Sequence, residues 1–149
     1  MKLWIALLGA MLMAPSAMAQ DKNPAPTIII SEVQAAQLLI ANNRLDDAKR
    51  LLDHLLAAKP DDSELLFLRA NVAVAQQDYD TAISLFRRIL VHEPETERVR
   101  LELARAFFMK GDYDNADRQF RFARAGDIDD TVKTNIDHFL SAINRLREW

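Results

Sequence analysis

The chain of 149 residues contains no cysteine. Disulfides, thiolate metal sites, cysteine nucleophiles and lipid attachment through an N-terminal cysteine are therefore excluded. An oxidising compartment is permitted by this but not demonstrated. Glycine is almost as scarce, with three in the whole chain, and no glycine-rich phosphate loop or nucleophile motif follows residue 19. His54, His92 and His138 fall on separate predicted helices without metal-ligand spacing, so each reads as a surface or helix-end residue. A basic surplus is missing as well. Setting Lys2 aside, 18 Lys and Arg face 22 acidic residues, a net of −4, which argues against a general nucleic-acid binder. What remains is half apolar and 28% charged, the balance of a globular domain.

The apolar run Leu3 to Met13 is too short to span a bilayer, which takes about 20 such residues. Met1-Lys2 supplies a positive start, Pro15-Ser16 a helix break, and Ala17-Met18-Ala19 a small-residue cleavage site. Residues 1–19 thus read as a cleaved secretory signal leaving a mature chain from Gln20, with the bacterial periplasm as the expected destination. Residues 20–28 are polar with two prolines and read as a flexible linker.

From residue 29 onward a skeleton recurs at a constant offset of 34. Ala36, Ala70 and Ala104 form one series, and Ala48, Ala82 and Ala116 a second. Pro60 and Pro94 share the offset, as do Asp78-Tyr79-Asp80 and Asp112-Tyr113-Asp114, while Leu52, Phe86 and Phe120 occupy one register. A fixed period of this size with two amphipathic helices per unit is the signature of a stacked helical repeat. The spacing predicts units at 29–62, 63–96 and 97–128. Ser31 with Gln34, and Asp61 with Glu64, read as capping boxes; Asp78 reads as an N-cap. Gly111 is predicted to supply a permissive turn and Gly126 a left-handed helix stop. Acidic pairs at helix starts, such as Asp129-Asp130, complement the macrodipole without acid–base chemistry. Val132, Ile136, Phe139, Leu140 and Ile143 give 130–149 one more amphipathic helix, which covers the apolar end of the third unit.

The alanine–proline skeleton, with GDYDNA in the turn, resembles the tetratricopeptide repeat. The consensus tryptophan is missing, and Ile128 stands where a third proline would fall. The resemblance implies an all-α fold, a right-handed superhelical stack of three helix-turn-helix hairpins plus a C-terminal capping helix. A narrower resemblance begins at Val99. VRLELARAFFMKGDYDNADRQF, followed by DDTVKTNIDHFLSAI, is similar to the periplasmic repeat region of outer-membrane surface lipoprotein assembly modifiers. In that family a transmembrane β-barrel follows the repeats and the whole helps lipoproteins reach the cell surface. Here the sequence stops at Trp149, so the expectation is a separated or truncated module or a stand-alone relative.

In tetratricopeptide arrays the first helix of each hairpin lines the concave face. By register this implies a row of Val33, Phe67 and Leu101, a row of Gln37, Asn71 and Arg105, and a row of Ile40, Val74 and Phe108, with Glu64 and Arg98 at the mouth. Apolar rows flanked by polar heads suit an extended or helical peptide. The bland alternative is that Phe67 and Phe108 pack between repeats or under the last helix. Asn71, Arg98 and Arg105 partly resemble a carboxylate-binding arrangement of some such domains, but Leu101 stands where its lysine would be. Charge divides along the array, with 7 basic and 11 acidic residues over 44–97 and 7 basic and 4 acidic over 98–124. The division either orients a partner or reflects a solvated face.

The expected function is a non-enzymatic periplasmic protein-interaction module without cofactor, metal or nucleic acid. Its partners would be a protein or peptide client and an outer-membrane β-barrel encoded downstream or held in the same complex. The rival expectations are a general envelope scaffold and an accessory subunit recruiting a cell-envelope enzyme.

Overall fold

The computed structural model describes residues 30–148, and over them the chain is built of helices: α1 Glu32–Ala41, α2 Leu45–Ala58, α3 Ser63–Ala75, α4 Tyr79–His92, α5 Glu97–Lys110, α6 Tyr113–Arg124 and α7 Asp130–Arg147. The expected signal (1–19) and linker (20–28) lie outside the described residues. Helices pair as three consecutive hairpins, α1/α2, α3/α4 and α5/α6, and α7 packs on α6. The two alanine series explain why they pair closely. Ala36, Ala48, Ala70, Ala82, Ala104 and Ala116 all have no exposed surface, and a longer side chain at any of them would wedge its hairpin open.

The turns inside the hairpins repeat as faithfully as the alanines. Asn43, Gln77 and Gly111, each 34 residues apart, take the left-handed conformation with φ of 57°, 61° and 86°. Each closes the same pair of bonds onto the preceding helix. The N–H groups of Arg44, Asp78 and Asp112 donate to the carbonyls of Leu39, Ala73 and Phe107 at 2.8, 2.8 and 2.9 Å. This is the Schellman arrangement, which favours glycine because a Cβ costs about 1 kcal/mol there. Gln77→Gly is accordingly expected to raise stability, and Gly111→Ala to lower it, by up to about 1 kcal/mol each in urea titrations.

Two expectations need correction. Gly126 is not left-handed; α6 ends instead on Ala125, whose N–H meets the carbonyls of Arg121 and Phe122 at 3.2 Å. Gly126 sits instead at a close approach, since a Cβ there would stand 3.0 Å from Glu97 Cγ and 3.2 Å from the Ala123 carbonyl oxygen, so that a side chain would press Glu97 aside. The cap of α3 is Asp62, not Asp61 with Glu64: the Asp62 carboxylate accepts from Leu65 N–H at 3.0 Å. A turn bond from Asp62 N–H to the Lys59 carbonyl moves the helix start one residue on.

The caps at Ser31 and Asp78 form where the sequence places them, and Asp112 and Asp129 cap their helices in the same way. Ser31 and Gln34 exchange bonds of 3.1 and 2.9 Å, and Asp78, Asp112 and Asp129 accept from Thr81, Asn115 and Val132 at 3.2, 3.2 and 2.9 Å. Hydrogen bonds from Thr81 hold the Asp78 carboxyl below its ordinary range, and the Asn115 side chain does the same for Asp112. A depressed folded value means that the stabilisation is complete above the unfolded carboxylate range and is lost as pH falls through the folded one. Asp78→Asn combined with Asp112→Asn keeps a capping side chain but removes the titration. Thermal melts of that variant are expected to fall less steeply than wild type between about pH 4 and pH 2.

Two apolar clusters make up the core, and α3 feeds both. Leu65 and Val72 join Ala36, Ala48, Leu52 and Leu55, whereas Leu66, Ala70 and Ala73 join the larger cluster that runs on to Ile143. Polar ties then link each unit to the next. Gln76 Nε2 donates to Asp46 at 2.7 Å, Lys110 Nζ to Asp80 at 2.5 Å, and Arg147 Nη2 to Asp114 at 2.5 Å. In each tie the aspartate opens the second helix of a hairpin and its partner closes the following helix. By this measure α7 stands where the first helix of a fourth unit would stand. Its buried residues agree, because Ile136 and Leu140 sit 33 residues beyond the buried Leu103 and Phe107.

Candidate protein-binding groove

The first helices of the hairpins, α1, α3 and α5, carry the three predicted rows, and α7 extends the series. Packing consumes part of the apolar rows, as the bland alternative holds for the aromatics. The Phe67 ring lies 5.8 Å from that of Phe86 on the second helix of its own hairpin, and the Arg98 guanidinium sits over the same ring, 4.6 Å from its centroid. Phe108 meets Tyr113 at 5.6 Å and Phe139 of α7, edge to face, at 5.2 Å. Val33 and Ile40 lean on the first cluster, and Val74 on the second. All five remain half-exposed, so they are shared between core and surface. Gln37 and Glu64 are exposed, and Asn71 is half-buried one turn along from Phe67.

Leu101 and Arg105 fare differently, because the structure gathers them into a cavity of about 390 Å³. Leu101, Phe120, Val132, Ile136 and Phe139 supply its apolar lining, and Arg105, Asn135 and His138 its polar groups. Phe139 is fixed in place by stacking on the buried Phe120 ring at 4.7 Å with 15° between planes. Arg105 is exposed and touches Glu102 through Nη1 at 3.3 Å. The last helix therefore does more than cover the array, since it forms one wall of this cavity. Sequence reasoning assigned His138 to the plain surface and left Val132, Asn135 and Phe139 out of the groove. The register could have found them: the period of 34 carries Arg98, Leu101 and Arg105 onto Val132, Asn135 and Phe139, and an offset of 33 carries Arg105 onto His138.

α6 and α7 are also clamped on the far side, where Arg124 holds Asp137 through two bonds of 2.6 and 3.0 Å. That pairing keeps the Asp137 carboxyl below its usual range. Among the described residues no three His, Cys, Asp or Glu side chains cluster as metal ligands, and no helix is long and apolar enough to cross a membrane. The three histidines are exposed.

Comparison with known proteins agrees with this geometry. Residues 53–120 match a family described as the surface lipoprotein assembly modifier, N-terminal TPR repeats, and residues 16–72 match one described as the tetratricopeptide repeat. A surface lipoprotein assembly modifier of Pasteurella multocida is 27% identical over 110 residues, 74% of this chain and 22% of that protein. The human tetratricopeptide repeat protein 21B is 34% identical over 98 residues, 66% of this chain and 7% of its own length. The chain thus spans about a fifth or less of these relatives. Among solved structures, the Yersinia enterocolitica type III secretion translocator chaperone SycD superposes with a TM-score of 0.71 at 20% identity, covering 81% of this chain and 90% of SycD. PcrH from Pseudomonas aeruginosa superposes with a TM-score of 0.67 at 16% identity, covering 76% of this chain and 89% of PcrH. SycD has been solved with a peptide of the translocator YopD, and PcrH with the chaperone-binding region of PopD. With the period, the paired helices and these matches in agreement, the chain is a tetratricopeptide-repeat protein whose repeats resemble the N-terminal repeat region of surface lipoprotein assembly modifiers.

Proposed function

We propose that this chain is a periplasmic protein-binding module that holds a segment of a client polypeptide on its concave face, in connection with the assembly or export of surface lipoproteins at the outer membrane. The observation that carries the reading is the match of residues 53–120 to the repeat region of the assembly modifiers. That stretch contains α3 to α5, most of α6 and most of the groove, including Phe67, Asn71, Leu101 and Arg105. Half-exposed apolar side chains alternating with Asn71, Arg98 and Arg105 offer both buried area and hydrogen bonds to a peptide backbone. The hand-over would be a binding equilibrium rather than a chemical step, with the client passed to a membrane-embedded β-barrel.

The test is crosslinking in the envelope followed by mass spectrometry of captured chains, comparing wild type with Asn71→Ala/Arg105→Ala. Neither side chain belongs to the fully buried core, so helicity is expected to stay unchanged while client capture falls about tenfold. Equal capture by the variant would remove the groove from the mechanism. Capture restricted to cytoplasmic proteins would remove the compartment.

A further inference from the structure

We infer that the cavity between α5 and α7 is a specificity pocket for a client segment in which an apolar side chain is followed by an acidic one. This rests on the reading that the concave face takes a client, and it assigns the chemistry of what is taken. The lining divides in a way that fits such a pair. Leu101, Val132, Ile136, Phe139 and Phe120 make the interior apolar, while Arg105 stands on one wall and His138 on the other. At about 390 Å³ the cavity falls within the small-ligand range of roughly 300–1,000 Å³, so it holds one or two side chains rather than a folded surface.

Charge selects the neighbour of the buried group. None of the residues lining the cavity is acidic, and 98–124, which supplies its α5 and α6 walls, carries 7 basic against 4 acidic residues. A lysine beside the anchoring residue would meet Arg105 at close quarters; an aspartate or glutamate would pair with it. Arg105 already shares Nη1 with Glu102. A carboxylate on a side chain, which can approach from the remaining edge, therefore fits better than a chain terminus that needs the whole fork.

The test uses the purified chain and immobilised peptides of twelve residues, amidated at the C-terminus, with Leu followed by Asp, Asn or Lys among varied neighbours. Expected is binding of the Leu-Asp set about tenfold tighter than Leu-Asn, with Leu-Lys and Ala-Asp sets weaker still. Arg105→Glu and His138→Glu, both at exposed positions on opposite walls, are expected to invert the Asp–Lys order at unchanged helicity. Peptides that bind wild type and respond to Asn71→Ala, but not to either charge reversal, would overturn the pocket and spare the proposed function. No binding of any peptide would overturn both. Displacement by dodecanoate alone would show that the cavity takes an acyl chain, and binding restricted to free C-termini would show a terminal clamp. Self-association abolished by Arg105→Glu would show a second copy as the occupant. Each of these last three outcomes also overturns the inference.

Discussion

Replacing Phe120 by Ala is expected to lower the unfolding free energy by about 3–5 kcal/mol, the usual cost of emptying a buried aromatic site. Phe120 has no exposed surface, and its ring stacks on Phe139 at 4.7 Å, which in turn meets Phe108 at 5.2 Å. Removing it deletes the buried end of that aromatic chain and leaves a void at the seam between α6 and α7. At about 2–4 °C per kcal/mol for a chain of this size, the melting temperature should drop by about 6–20 °C. The loss should also be local. In a stacked array each unit leans on its neighbours, so hydrogen exchange is expected to show α7 opening before α1 to α4. Phe86→Ala, in the same register of the middle unit and equally buried, should instead weaken the array at its centre. A loss below about 1 kcal/mol for Phe120→Ala would mean that α7 is held by its rim contacts and not by the stack.

Arg69→Leu is expected to stabilise the protein by about 1–3 kcal/mol, because it removes a buried cation whose Nη1 has no partner among the described residues, while the Asp53 carboxylate left behind is half exposed to water. Arg69 is 7% exposed on α3, one turn from Leu65 and Val72, which join the first cluster. Its Nε bonds Asp53 of α2 at 2.7 Å, and its buried Nη1 has no hydrogen-bond partner among the described residues. The same register holds Leu103 in the third unit, buried with 2% exposure, so the fold itself shows that leucine fits there. Asp53→Ala removes only the partner and is expected to destabilise by about 1–3 kcal/mol. That is below the 3–5 of a fully buried pair, since the Asp53 side chain is 50% exposed and water reaches the gap. Urea titrations of both single variants and the double variant would measure the coupling directly. Destabilisation by Arg69→Leu would show that the guanidinium is needed to join the first unit to the second.

The period of 34 was legible because it rests on residues whose constraint is local or nearly so. An alanine where two helices touch, an aspartate at a helix start and a glycine after a helix end each announce themselves in a single copy, and repetition removes the ambiguity. Gln77 shows the limit of this. It occupies the same left-handed turn as Gly111, yet nothing in a glutamine signals that conformation; only its place in the register does. Gly126 failed the opposite way, since a glycine is used equally for a positive φ and for a close approach. Glu97, which makes the close approach, is 29 residues away in sequence.

The groove was half legible. Its rows follow from the register, and Leu101 and Arg105 do line a common cavity. How much of Phe67 and Phe108 is left for a partner depends on Phe86, Arg98 and Phe139, and no periodicity states which of these contacts will form. The amino-acid sequence by itself determined the repeat, most of the helix ends and the face each helix buries, because those depend on neighbours three, four or 34 positions away. Tertiary structure alone decided that α7 takes the place of a further first helix and closes a pocket with α5, and that Arg69 lies buried against Asp53 of α2. Both are consequences of how separately satisfied helices meet, where shape and desolvation act between residues that share no spacing.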